Sequence, residues 1–287
     1  MNARVKFPTI QGLSDHSSEE GQRQYLLLNK LQLMLLLFST VTTIFVSYNR
    51  QLLFLVLFFM IGSFVVTTAI KIRKPERFWY DGRAIAESIK TLTWRFIMKA
   101  EPFNQSDTKD KELFIRTIKK ITDDRKYSQI KIVSIDSEII TDSMLNLRSL
   151  SFEERKEFYI TERITDQKKW YSGKSDFNKM WESRLFYLSL ITQFLAIAFL
   201  ILMLTYSSIR LNLTSLFTSL VTISLTWMQL KQHHELAQAY AMAANELMVI
   251  ESLGSEVFKE NSLSEYVNES ENAISREHTM WIARRGQ

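Results

Sequence analysis

The chain contains no cysteine, 7 glycines and 3 prolines in 287 residues. Without cysteine there is no disulfide scaffold, no thiolate zinc site, no iron–sulfur cluster and no thiol nucleophile. So few turn formers speak against collagen-like, low-complexity and many-stranded β folds. Signatures of common chemistry are missing as well. The sequence holds no P-loop, no dinucleotide fingerprint, no His-Glu-x-x-His and no nucleophile elbow. Its 4 histidines are His16, the His233-His234 pair and His278. Neighbours on a helix point about 100° apart, so the pair is a poor metal clamp. No catalytic residue, metal ligand or cofactor is expected. Arg276-Glu277-His278 is read as surface or packing charge.

Charge is missing in another sense: it is absent from four long stretches. Leu31–Ser47, Leu52–Ile70, Leu185–Ser208 and Leu211–Leu230 hold no Asp, Glu, Lys or Arg. A bilayer core of about 30 Å needs roughly 17–25 helical residues. The runs therefore read as four transmembrane helices in two hairpins, with spans at about 31–47, 52–70, 185–206 and 211–230. The fourth is the least apolar. The expected fold is an all-α membrane protein with long cytoplasmic helical extensions. The β-branched alternation near 129–140 leaves room for a short β element. The first 24 residues are polar and no cleavage site follows the first run, so that run should remain as an anchor.

Net charge is +5, and its placement decides its meaning. Arg4, Lys6, Arg23 and Lys30 precede the first span; Lys71, Arg73, Lys74 and Arg77 follow the second; Lys168, Lys169, Lys174, Lys179 and Arg184 precede the third. Each hairpin tip has one cation, Arg50 or Arg210. By the positive-inside rule both termini and the middle of the chain are cytoplasmic in a multi-pass inner-membrane protein. Topology accounts for the basic excess, so no nucleic-acid partner is expected. Arg73, Arg77, Arg83 and Arg95, near Trp79 and Trp94, are candidate contacts for an anionic ligand or lipid headgroups.

The chain reads as an imperfect duplication. A polar tail (1–24) precedes a first unit (25–102), whose cytoplasmic helix (75–100) opens at Pro75. There Phe78, Gly82, Ile85, Ile89, Leu92 and Phe96 recur at 4-3-4-3-4 spacing. A connector (103–150) follows, with an amphipathic segment around Leu113, Ile118 and Ile121. The second unit (151–287) starts on the capping box Ser151-Phe152-Glu153-Glu154. Tyr171-Ser172-Gly173 should interrupt its first helix, and Gly254 should stop a later one.

One register runs through the fourth span and past it. Ser215, Ser219, Thr222, Thr226 and Gln229 share a face, continued through His233 by Leu236, Tyr240, Ala243, Leu247 and Ile250. On a single helix of about 40 residues, this face would be polar in lipid and apolar in water, so it should meet protein in both. Its first part either packs helices closely through small residues or lines a water-filled path. Its second part is the expected seam of a homo-oligomer. The spans carry no Asp, Glu, Lys, Arg or His, which argues against proton relays and ion-coupled carriers.

Two groups of residues resemble a known family. One is Tyr159-Ile160-Thr161-Glu162-Arg163-Ile164-Thr165-Asp166-Gln167, with Trp170, Tyr171 and Lys174. The other is Tyr240, Ala244, Glu246-Leu247, Tyr266-Val267, Glu271, Ser275 to Thr279, Trp281 and Arg284-Arg285. Both are similar to SLATT domains, the two-transmembrane effectors associated with SMODS and SLOG proteins. Trp79, Arg83, Ala86-Glu87 and Trp94 resemble a second, divergent copy. The resemblance implies a bacterial antiviral or conflict effector, triggered by a nucleotide second messenger or by its sensor or synthetase. Such an effector forms a pore or perturbs the membrane, ending in dormancy or death. The alternatives are a non-conducting scaffold that recruits cytoplasmic partners and a small housekeeping channel.

Overall fold

The computed structural model describes residues 5–123, 138–206, 209 and 211–285, with side-chain surroundings given up to 275. The described residues are helical and contain no strand. The β element expected near 129–140 lies almost entirely outside them, as does Arg210. In order, the elements are α1 (Thr9–Ile44), α2 (Leu52–Arg73), α3 (Pro75–Ile97), α4 (Asp107–Asp123), α5 (Asp142–Arg148) and α6 (Phe152–Tyr159). A π-helical turn (Ile160–Thr165) leads into α7 (Asp166–Thr205). Then come α8 (Thr214–Lys231), α9 (His233–Leu253), a 3-10 turn (Gly254–Glu256) and α10 (Glu260–Arg285). Two compact units result. A span unit comprises 23–75 and 175–238; a polar unit comprises 1–22, 76–174 and 239–287.

The span unit is built the reverse of a water-soluble bundle. Its buried side chains include Ser39, Ser63, Ser189, Thr192, Ala196 and Ser224, while large apolar groups point outward. Phe54 is 78% exposed, Phe64 72% and Leu204 81%. That pattern suits hydrocarbon as the surrounding solvent, with small residues letting helices approach closely. Three of these hydroxyls are satisfied within their own helices. Ser189 donates to the Phe186 carbonyl (2.7 Å), Thr192 to Leu188 (2.8 Å) and Ser224 to Leu220 (2.8 Å).

Among the described residues, three helices are long and apolar enough to cross a membrane: Thr9–Ile44, the apolar start of Leu52–Ile97, and the end of Phe152–Thr205. The protein is an all-α membrane protein. The fourth uncharged run is helical as α8; its 18 residues are about 27 Å long at 1.5 Å per residue. It falls outside that set, as its serines and threonines foreshadowed.

The polar unit holds a conventional apolar core. Gly82, Ile85, Ile89, Leu92 and Phe96 are buried, as the spacing predicts. Residues read as a polar tail enter helix at Thr9, and Ser14 and Ser18 are buried. The crossing there is tight. A Cβ on Gly82 would lie 2.8 Å from the Ser14 carbonyl oxygen and 2.9 Å from the Ser18 nitrogen, so only glycine fits. Ser18 also donates to the Trp79 carbonyl (3.0 Å).

Two expected boundaries are corrected. Tyr171-Ser172-Gly173 does not interrupt its helix: α7 runs through it, and a Cβ on Gly173 would meet nothing within 4 Å. The irregularity lies earlier, in the π turn. The helix of about 40 residues is in fact two. Gln232 is left-handed (φ 52°, ψ 44°) and its N–H caps the carbonyls of Gln229 and Met228, ending α8. The break places His233 in a buried position, with Nδ1 2.8 Å from Asn178 Oδ1 on α7. The capping box is present, with Ser151 Oγ accepting from the Glu154 amide and the Glu154 carboxylate accepting from the Ser151 amide.

Candidate functional site

Three arginines with almost no exposed surface tie the polar unit together. Arg148 donates to Asp110 (2.6 Å), to Asp107 (3.0 Å) and to the Phe96 carbonyl, with its guanidinium 4.7 Å from the Phe96 ring centroid. Arg155 donates to the carbonyls of Met98 (2.8 Å) and Leu150 (3.2 Å) and to Glu260. Each satisfies the helix ends and loop carbonyls around the start of the second family-like half.

The third, Arg163, sits inside the π turn. It donates through Nε and Nη2 to the two carboxylate oxygens of Glu271 on α10, both at 2.8 Å. The Tyr159 hydroxyl donates to the same carboxylate (3.1 Å), and Arg163 Nη1 donates to Gln167 Oε1 (3.2 Å). Its guanidinium lies 5.8 Å from the Trp94 ring centroid. Arg163 is 2% exposed and Glu271 is 0% exposed. Burial alone would lower the Arg163 pKa; the Glu271 carboxylate outweighs it and holds the guanidinium above its ordinary range. The Tyr159 hydroxyl is raised by burial and then by the same carboxylate. Such a bidentate, fully buried pair fixes α6, α7 and α10 in one arrangement.

Immediately beyond this clamp, a cleft of about 240 Å³ opens between α3, α7 and α10. It is lined by Arg83, Glu87, Ser88, Lys90 and Thr91 from α3, by Asp166, Gln167, Trp170 and Tyr171 from α7, and by Ile274 and Ser275 from α10. Two cations, two carboxylates, an amide and the hydroxyls of Ser88, Thr91 and Ser275 surround an aromatic wall of Trp170 and Tyr171. Trp170 stands edge-on to Tyr240 (5.4 Å between centroids), and Lys174 Nζ lies 5.6 Å from its ring centroid. The arrangement can hydrogen-bond a polar ligand and stack an aromatic one.

Of the four arginines picked out as anion contacts, only Arg83 lines the cleft. Arg95 donates to Asn272 Oδ1 (2.7 Å), while Arg73 and Arg77 lie exposed at the α2–α3 junction. Trp79 and Trp94 are core residues, not platforms. Glu87, Lys90, Asp166, Gln167 and Trp170 were not picked out as site residues. The helical spacing 83-87-90 on one element and 166-167-170-171 on the other was the available signal. Among the described residues, no cluster of His, Asp and Glu can hold a metal ion. The side chains of Arg276, Glu277 and His278 lie outside the described set.

The second half of the long register faces inward for the most part. Tyr240 (5% exposed), Ala243 (7%) and Leu247 (1%) are buried within one chain, and Leu236 and Ile250 are half-buried. Tyr240, Ala243 and Leu247 are thus covered within one chain. The first half behaves differently. Ser215, Thr222 and Gln229 are exposed, and Ser219 and Thr226 are half-buried. Ser219 Oγ lies 3.2 Å from Thr40 Oγ1 on α1, while Thr222 donates back to the Thr218 carbonyl (3.0 Å).

An all-α membrane protein with a serine-lined span unit and a cleft-bearing polar unit is the class these features define. Residues 8–156 match SMODS and SLOG-associating 2TM effector domain 3, and residues 159–281 match SMODS and SLOG-associating 2TM effector domain 1. The chain belongs to the SLATT family and carries two of its domains in tandem. The boundary between the two falls at the start of the π turn. No curated protein and no solved structure matches the chain.

Proposed function

We propose that this chain is a bacterial inner-membrane effector that acts in antiviral or other conflict systems by permeabilising the membrane as an oligomer. In this reading the polar unit and both termini are cytoplasmic. A nucleotide-type signal, arriving free or through its sensor or synthetase, is received at the cleft of Arg83, Lys90, Gln167 and Trp170. The outcome is dormancy or death. Membership of a two-transmembrane effector family supports the coarse role. The observation that carries the finer one is the stripe of Ser215, Thr222 and Gln229, exposed together on α8 of a unit whose large apolar side chains point outward. Left against lipid, that stripe would be an anomaly; gathered around water, it would not.

The test is inducible expression of the full chain with a membrane-potential dye, beside a Thr222→Leu/Gln229→Leu variant. Both positions are exposed, so leucine overpacks nothing inside the subunit, and a more apolar α8 still inserts. Supplied with candidate cyclic nucleotides, wild type is expected to depolarise cells, and the variant to remain membrane-bound while depolarising them at least about tenfold less. A variant as active as wild type would exclude this face as the conducting surface and favour the non-conducting scaffold.

A further inference from the structure

The outer face of α9 stands apart from the rest of the polar unit. Its inner face buries Tyr240, Ala243 and Leu247, so this helix has already satisfied its core. Yet Met242 (67% exposed), Val249 (57%) and Leu253 (51%) line the opposite side, with Met248 beside them and Phe258 (70%) in the turn that follows. A helix apolar on both faces is normally covered on both. Contiguous apolar surface of this kind marks an interaction site in proteins facing water.

Charge narrows what can cover it. From Glu235 to Glu256 the chain has no lysine or arginine, and Glu235, Glu246 and Glu256 are exposed on α9 and the turn after it. An anionic lipid surface would be repelled by those carboxylates. Two such faces packed on each other would set the carboxylates of α9 against one another, an unfavourable juxtaposition, with the nearby cations Lys156 and Lys259 confined to the Phe258 end. The complementary surface is present in the same unit. On α4, Lys109, Lys119 and Lys120 are exposed around Ile115, itself 42% exposed, while Arg116 beside them is paired with Glu112 (2.7 Å). The apolar face of α4 is spent inward on Phe114 and Ile118.

We propose that the outer face of α9 docks onto the basic face of α4 in a second copy of this chain. The contact is heterologous: each copy offers one α9 face and one α4 face, so the contact repeats until it closes a ring. It moves the subunit interface from the buried seam of Tyr240 and Leu247 to the opposite side of the same helix. The proposal rests on the oligomeric part of the function proposed above, and names the surfaces that would build it.

The absence of cysteine makes the test clean. Full-length Val249→Cys and Ile115→Cys chains, carrying different tags, are co-expressed in membranes and treated with a short bismaleimide. Both sites are exposed, so neither change removes a buried contact, and labelling with a monofunctional maleimide checks that each thiol is accessible. The expected result is a dimer bearing both tags, formed only when the two variants are together, and a ladder of higher species from the chain carrying both cysteines. Lys119→Glu/Lys120→Glu should abolish the crosslink, and adding Glu246→Lys should restore part of it. Val249→Cys crosslinking to itself would show a symmetric α9 contact and overturn the proposal. So would accessible thiols that yield no crosslink. Crosslinking without depolarisation would keep this interface and remove the pore; depolarisation without crosslinking would do the opposite.

Discussion

At the scale of residues, Arg163 and Glu271 are the pair on which the polar unit depends most. Both are withdrawn from water, and every donor of the guanidinium that faces the carboxylate is used. Removing one partner leaves a buried charge without its counterion, which typically costs about 3–5 kcal/mol, whereas replacing both with apolar groups is often near neutral. Glu271→Leu or Arg163→Met alone should therefore lower thermal stability strongly. The double variant should recover a large part of the loss, less the cost of leaving the Tyr159 hydroxyl without its acceptor. Thermal unfolding of the purified full chain in detergent reads this out. Equal losses in the single and double variants would show that the two side chains are not coupled. The pair was visible in the sequence only as part of a resemblance. Two charges 108 positions apart carry no local sign that they meet.

Elements differ in how far their sequences disclose them. The capping box at Ser151 was legible because all its parts lie within four residues, and so was the α3 seam, whose periodicity is local. The π turn was not, because nothing in Ile160–Thr165 demands an extra residue per turn; the Arg163–Glu271 clamp holds it from outside. Gly173 misled because glycine is also tolerated on an exposed helical face. Gln232 went unnoticed for the opposite reason: it is left-handed with neither glycine nor proline nearby to signal a break. Periodicity also showed that the α9 seam is covered, but an apolar stripe cannot say whether its neighbour belongs to the same chain.

The Gln232 break has a pH signature. His233 is pushed below its ordinary pKa by burial first and by Lys231 second, with Glu182 opposing weakly. The folded chain thus holds this proton less readily than the unfolded chain. Stability contributed here is present at high pH and lost as pH falls through the ordinary histidine value of about 6.5. Thermal unfolding of the full chain at pH 7.5 and 5.5 should show a loss on acidification that is smaller in His233→Gln. An identical loss in both proteins would assign the effect to other groups.

For the whole molecule, the sequence disclosed a helical membrane protein and its family, because uncharged runs and tandem motifs need no tertiary information. It disclosed the cleft poorly, since α3, α7 and α10 each contribute a few polar residues that only folding brings together. The central claim is that this chain, once signalled, opens the bilayer. The measurement that tests it most directly is ion flux from vesicles containing the purified full-length protein, with and without added cyclic nucleotides. Vesicles are expected to hold their ion gradient with protein alone and to lose it when the right nucleotide is added, with Trp170→Ala and Lys90→Ala weakening the response. Inserted protein that leaves vesicles tight across the nucleotide set, while cells expressing it keep their membrane potential, would contradict it.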